Sequence, residues 1–201
     1  MKRNFLAALF LFLAFVSLAQ ENKKESKTNW KENFFTGGTI SLGFYTNNFL
    51  AGGSPMFGYS VTDFIDAGLV LNYNYSSYRD YNNILRNRLR QTIYGGGGFI
   101  KVYPVRFLFL QAQLEQNSIR QKLISPSGYI STDKVSSSST LVGGGYTTGR
   151  WGRAGTSFYY LSILFDVSRN LYSPYTDEYG RSIPIFRAGM QIPLFQGKSA
   201  N

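Results

Sequence analysis

From residue 38 onward the apolar residues of this chain recur at every second position. Gly38, Ile40, Leu42 and Phe44 fall on one side, and Thr39, Ser41, Gly43 and Tyr45 on the other. Ala67, Leu69, Leu71, Tyr73 and Tyr75 oppose Gly68, Val70, Asn72, Asn74 and Ser76. Leu108, Leu110, Ala112 and Leu114 oppose Phe109, Gln111, Gln113 and Glu115. The same alternation runs through 159–167 and 186–194. A period of two over runs this long makes two-faced strands, because successive side chains leave a strand on opposite sides. Eight strands are predicted, at 36–47, 54–62, 66–78, 89–103, 106–118, 138–149, 154–168 and 183–195.

The connections between them sort by parity. The first, third, fifth and seventh (48–53, 78–88, 119–137 and 169–182) are long or polar, and the intervening three (63–65, 104–105 and 150–153) are short. Alternation of long loops with tight turns is the signature of an outer-membrane barrel. A closed barrel satisfies every backbone N–H and C=O without leaving an edge. Its apolar outer face is stable in hydrocarbon, whereas in water it would be an aggregating patch. The expected fold class is therefore all-β: an antiparallel up-and-down transmembrane β-barrel of about eight strands, with long extracellular loops and short periplasmic turns.

The N-terminus agrees with that compartment. Met1-Lys2-Arg3 is followed by an apolar run from Phe5 to Val16, then by Ser17-Leu18-Ala19, with small residues placed for cleavage before Gln20. This is a signal-peptide pattern, and the run is too short for a spanning helix of ~20 residues. The expected organisation is a signal peptide at 1–19, a polar periplasmic leader at 20–35, the barrel at 36–195 and a tail at 196–201. The expected location is the bacterial outer membrane.

Composition narrows the chemistry. Among 201 residues only 16% are charged and 17% are aromatic, with 15 Tyr, 17 Phe and 21 Gly; roughly 25% charged is usual for soluble domains. Cys and His are absent from the sequence. That excludes disulfide scaffolds, thiol nucleophiles and every imidazole-dependent mechanism. The glycine runs at 95–98 and 143–145 lack the following Lys-Ser/Thr and the strand–loop–helix context of a phosphate loop. They read as close packing that makes room for Phe and Tyr inside a narrow barrel. No enzyme activity and no cofactor are expected.

Three segments then resemble a family. GYSVTDFIDAGLVLNYNY at 58–75 resembles the strand–turn–strand element of small bacterial outer-membrane β-barrel proteins. VGGGYTTGRWGRAGTSFYYLSILFDV at 142–167 is similar to their second half, and IPIFRAGMQIPLF at 183–195 to their closing strand. The resemblance implies an eight-stranded barrel like the adhesion- and stress-linked members, and carries no catalytic residues. It also implies that Arg187, Gly189, Ile192, Leu194 and Phe195 act as the signal read by the barrel-assembly machinery.

The alternation also names candidate residues. Lys101, Gln111, Gln113, Glu115, Asp166, Arg187 and Gln191 are predicted to face inward as a structural plug, with the two carboxylates paired to Lys101 and Arg187. Tyr78, Tyr81, Arg86 and Arg88 in one long connection, and Tyr172, Tyr175, Tyr179 and Arg181 in another, are candidates for loop-borne interaction, since Tyr and Arg dominate binding hot spots. The basic excess, including Arg120, Lys122 and Lys134, suits lipopolysaccharide phosphates better than nucleic acid in a secreted chain. The expected role is a structural or interaction protein, or a small accessory subunit of a larger outer-membrane transport, secretion or assembly complex. The alternative is a narrow channel or a binder of a small apolar ligand.

Overall fold

The computed structural model of the chain describes residues 30–45, 48–79, 87–128, 130–150, 156–177 and 179–195. The signal segment and the tail from 196 lie outside the described residues, as does most of the leader. A single 3-10 turn, Trp30–Asn33, precedes β1 (Phe34–Tyr45), β2 (Asn48–Ser60), β3 (Ile65–Arg79), β4 (Arg88–Val105), β5 (Leu108–Ile124), β6 (Ile130–Thr147), β7 (Phe158–Asp166) and β8 (Ile185–Pro193). Each strand pairs antiparallel with the next. β8 returns to β1, with Phe35 opposite Pro193 and Leu42 opposite Phe186, so the eight strands form a closed up-and-down barrel.

The two faces are those the alternation predicts. Ile40, Leu42, Leu69, Leu71, Leu110, Leu114, Leu161 and Ile163 are exposed on the outer wall. Ser41, Asn72, Asn74, Gln113, Glu115, Ser162 and Arg187 are buried inside. Exposed aromatics gather in two rims. Phe57, Phe64, Phe107, Tyr146 and Tyr159 lie toward the end that holds both termini, and Phe44, Phe49, Tyr73, Tyr75 and Tyr94 toward the far end. An apolar band between two aromatic girdles is the outer surface of a membrane barrel.

Strand lengths depart from expectation in an informative way. Residues 48–53, expected as a connection, belong to β2, which begins at Asn48. The glycines that suggest a loop there are strand positions: a side chain on Gly52 would collide with the Tyr73 carbonyl and the Asn74 amide across the ladder. Residues 119–137, also expected as a connection, are mostly strand. β5 and β6 stay in register without a break from Leu108↔Tyr146 to Ile124↔Ile130, and the hairpin closes through Ser125 and Gly128, the latter at φ 83. The polar residues here still alternate, which a ladder tolerates outside lipid. Conversely, the connection expected at 150–153 spans 148–157, and β7 starts at Phe158. Loop length therefore follows parity only in part.

The result is a barrel of uneven height. β4, β5 and β6 have 18, 17 and 18 residues, β7 and β8 only 9 each. About 9–11 tilted residues cross a bilayer, so the β4–β6 wall projects well beyond the far rim. On the short side the 167–184 connection folds over the mouth and covers the inner face of that wall.

The interior is stratified. Near the terminus end Phe35, Met56, Val70, Phe99, Tyr103, Phe109, Phe158 and Tyr160 form one apolar cluster. Phe109 meets Tyr160 edge to face at 5.6 Å, a favoured aromatic geometry. Near the far end Leu50, Ile93, Ile119, Leu141, Leu164, Tyr175 and Ile185 form another. Polar and charged side chains lie between and around them.

Candidate functional site

The centre of the lumen is organised by one carboxylate. Glu115 projects inward from the middle of β5, because its neighbours Leu114 and Gln116 take the outward positions. Its Oε1 accepts from the Gln113 amide at 2.5 Å and from Arg187 Nη2 at 3.1 Å. Its Oε2 accepts from the Asn117 amide at 2.9 Å and the Tyr175 hydroxyl at 2.7 Å. Arg187 Nη1 also donates to Gln113 Oε1 at 3.1 Å, and Gln111 donates to the same oxygen at 2.7 Å. Side chains at i, i+2 and i+4 on one strand face thus form a ladder of amides ending on a paired charge.

Toward the terminus end a second ion pair closes the floor. Arg150, from the 148–157 connection, turns inward and donates Nη2 to Asp66 Oδ1 at 2.6 Å and to the Thr62 carbonyl at 3.0 Å, while Nη1 reaches the Asp63 carbonyl. Its guanidinium lies 4.5 Å from the Tyr103 ring. Gln191 donates to the other Asp66 oxygen at 3.0 Å. Lys101, opposite Asp66 in the β3–β4 register, holds its ammonium 3.8 Å from the Tyr160 ring centroid and within 5.4 Å of Phe99 and Phe109. Those faces supply the electron density that a desolvated cation requires.

At the far end the 167–184 connection seals the mouth. Tyr175 is 1% exposed, and its hydroxyl is placed between Glu115 and the Asn74 amide, 3.4 Å away. Burial, then the adjacent Glu115 charge, push this hydroxyl well above its ordinary pKa, so it remains a donor. Ser173 donates to Asp166, which also accepts from the backbone N–H of Thr140 at 3.2 Å and of Ser168 at 2.8 Å. Tyr78 donates to the Thr176 carbonyl at 3.1 Å. At the tip, Asp177 accepts from the N–H groups of Tyr179 and Arg181 and from Arg181 Nε at 2.7 Å. Burial works to raise the Asp177 pKa. The Arg181 backbone and side-chain bonds, with that of Tyr179, outweigh it and hold the carboxyl below its ordinary value.

All seven residues predicted for the lumen lie inside the barrel and are buried. Their pairing differs from expectation. Glu115 does meet Arg187, but Asp166 is held by hydroxyl and amide donors and Lys101 by aromatic rings. The sequence reading also missed Asp66 and Arg150, which complete the floor. Asp66 was legible, since it falls on the inward phase of 65–79. Arg150 was not, because a turn residue carries no phase.

Among the loop candidates, Tyr175 is a correction: it is a plug in the core and presents nothing to a partner. Tyr172 and Tyr179 are exposed, as is Arg88. Tyr78 and Arg181 are tied to Thr176 and Asp177, and Tyr81 and Arg86 lie outside the described residues. In the proposed assembly signal, Arg187 is buried, Phe195 is exposed, and the Leu194 N–H extends the ladder to Phe34 at 2.7 Å. A side chain on Gly189 would meet the Gly38 carbonyl and the Tyr160 ring. The glycine runs also differ from expectation. A side chain on Gly95 or Gly97 would strike the β5 backbone, and the Phe109 ring crowds Gly145 alone of the second run. A recess of about 1040 Å³ lies outside the lumen, on the apolar wall, floored by Gly38, Gly53 and Ala188. Among the described residues no metal-holding cluster of carboxylates gathers.

This architecture defines the class: a closed, eight-stranded up-and-down β-barrel of the membrane type, with an apolar exterior and a lumen filled by its own side chains. No protein-family model matches the sequence, and no curated protein does. Among solved structures the chain is similar to Ail, the attachment invasion locus protein of Yersinia pestis. In its complex with the heparin analogue sucrose octasulfate the identity is 9%, over 79% of this chain and 94% of that one, at a TM-score of 0.48. Ail alone gives 10%, 79%, 94% and 0.46. The chain is also similar to Neisserial surface protein A, with 12% identity over 80% of this chain and 96% of that one and a TM-score of 0.39. These likenesses are of overall architecture.

Proposed function

We propose that the protein is a non-enzymatic barrel of the bacterial outer membrane, acting as a structural or interaction protein through its far end, which faces the cell exterior. The observation that carries this reading is the sealed lumen. Arg150 and the aromatic cluster close the terminus end, the Glu115 network fills the middle, and Tyr175 with the folded 167–184 segment closes the mouth. Among the described residues, side chains fill the lumen, which leaves the exterior as the surface for contact. Activity then resides on the outside, where Tyr172 and Tyr179 stand exposed. A larger transport, secretion or assembly complex is the partner that a small filled barrel of this kind suits. During biogenesis β8, through Arg187, Gly189, Ile192, Leu194 and Phe195, would meet the barrel-assembly machinery.

Two measurements test the reading. In planar bilayers the protein should show no single-channel conductance, and Tyr175→Ala should leave it closed, because the Glu115 layer lies beneath. Extraction in mild detergent should recover a partner that is lost when Tyr172 and Tyr179 are both changed to Ser in a barrel that still folds. Steady conductance of the unaltered protein, or a small apolar molecule retained in the lumen, would replace this reading with a channel or binder.

A further inference from the structure

The projecting wall carries an ordered set of cations on its outer face. The β3–β6 registers place outward residues in rows across the strands. One row holds Tyr73 and Tyr94, beside Ser118. In the next, Arg120 stands directly opposite Lys134. The one beyond sets Arg90 opposite Lys122, and the last sets Arg79 opposite Arg88. Neighbouring strands lie ~4.8 Å apart and successive rows roughly 7 Å apart along the strands. All six side chains are exposed.

Like charges directly opposite on a sheet are destabilising, yet three consecutive rows repeat the arrangement. Among the described residues no carboxylate forms an ion pair with any of the six. Asp133, on the same hairpin, leaves β6 on the other face, where the Ser131 hydroxyl reaches it. The repulsion is relieved by an anion able to sit between paired cations, and phosphate fits: an Arg fork binds two of its oxygens and a Lys adds a point charge. The position fixes the source. The rows begin immediately beyond Tyr73 and Tyr94 on the same outward face as Leu71 and Leu114. That is headgroup height for any lipid packed against this wall.

We infer that the outer face of β3–β6 is a binding site for lipid-borne phosphate. The phosphorylated headgroup of an outer-leaflet lipid sits across the Arg120–Lys134, Arg90–Lys122 and Arg79–Arg88 pairs, and its acyl chains lie on the apolar wall below. The site rests on the membrane placement proposed above, and deepens it by naming a lipid class and the residues that hold it.

The test reconstitutes the full barrel in neutral phosphatidylcholine vesicles doped with a diphosphorylated glycolipid or its dephosphorylated form, and measures the lipid that co-purifies. The phosphorylated form should be retained preferentially, and less so as salt shortens the screening length. Surface cations contribute about fivefold each at low salt. Arg90→Gln/Lys122→Gln should therefore lower retention about thirtyfold, and Arg120→Gln/Lys134→Gln similarly, with the folded gel mobility unchanged. Equal retention of both lipids by an inserted barrel, or unchanged retention in both variants, overturns the site and leaves the placement standing. Displacement of the lipid by inorganic phosphate at matched phosphate concentration also overturns it, in favour of a free anion. Failure to insert into any vesicle overturns the placement and the site together.

Discussion

Glu115→Gln isolates what the lumen network contributes. The substitution keeps the shape but removes the charge, leaving one acceptor oxygen where two oxygens took four hydrogen bonds. Arg187, whose side chain is 2% exposed, is then left as a buried cation without its carboxylate. Breaking one side of a buried ion pair costs about 3–5 kcal/mol, and a new N–H aimed at the Asn117 amide or the Tyr175 hydroxyl adds to it. Arg187→Met alone should cost a similar amount, since Glu115 is then the stranded charge. The double variant should cost clearly less than the sum, because neither charge remains; coupled buried groups show interaction energies of ~0.5–3 kcal/mol. Urea unfolding in lipid vesicles, read by gel mobility without heating and by circular dichroism, measures all three. A Glu115→Gln midpoint equal to that of the unaltered protein, or strict additivity in the double variant, would refute the structural role assigned to the network.

Three further outcomes follow from the geometry. Leu161→Arg, on the outer wall at 62% exposure, should lose ~2–4 kcal/mol if it lies near the bilayer midplane, whereas Thr132→Arg on the projecting hairpin should assemble normally; equal assembly of the two would mean the β7 facing or the membrane band is misplaced. Gly97→Ala drives a methyl into the Leu114 carbonyl, while Gly98→Ala finds only the Gly68 carbonyl at 3.7 Å, so refolding yield should fall in the first and hold in the second. The lowered Asp177 carboxyl stabilises the 177–181 turn above its unfolded pKa of ~3.9 and ceases to do so as pH falls through its folded value. Amide shifts of Tyr179 and Arg181 should hold down to about pH 4 and move below it, and Asp177→Asn should abolish that acid transition.

How much of this was legible in the sequence depended on what enforces each feature. Strand identity and facing are enforced at every residue by two environments, an apolar outer surface and packed polar side chains inside, so the alternation in 67–75, 108–115 and 159–167 reports them directly. Strand ends have no such enforcement. Residues 48–53 look like loop because Gly52 and Gly53 are turn formers in water, but here they are strand positions, and at Gly52 the adjoining β3 needs the space. Residues 119–137 look like loop because they are polar, yet polarity only marks where the ladder leaves the bilayer and says nothing about where it stops. The lumen residues emerged from phase alone, but their partners did not. Which carboxylate Arg187 meets depends on strand stagger, and Lys101 finds rings that alternation had marked merely as inward.

The uneven wall also explains why one connection became a plug and another became a hairpin. Hydrogen-bonded to its neighbours along its whole length, β5 projects past the rim and exposes an inner face bearing Ile119. Water would meet that face unless something covered it. β7 and β8 stop after 9 residues, so the segment between them has both the length and the position to do so. Tyr175 and Ile183 from this segment, with Ile185 at the start of β8, are the groups buried there. The outer face of the same wall needs no such cover. Beyond Tyr73 and Tyr94 it changes from apolar to cationic, and a covering segment there would bury six charges. One projecting sheet thus fixes two outcomes: an inner face that draws its own chain inward, and an outer face that stays exposed and cationic.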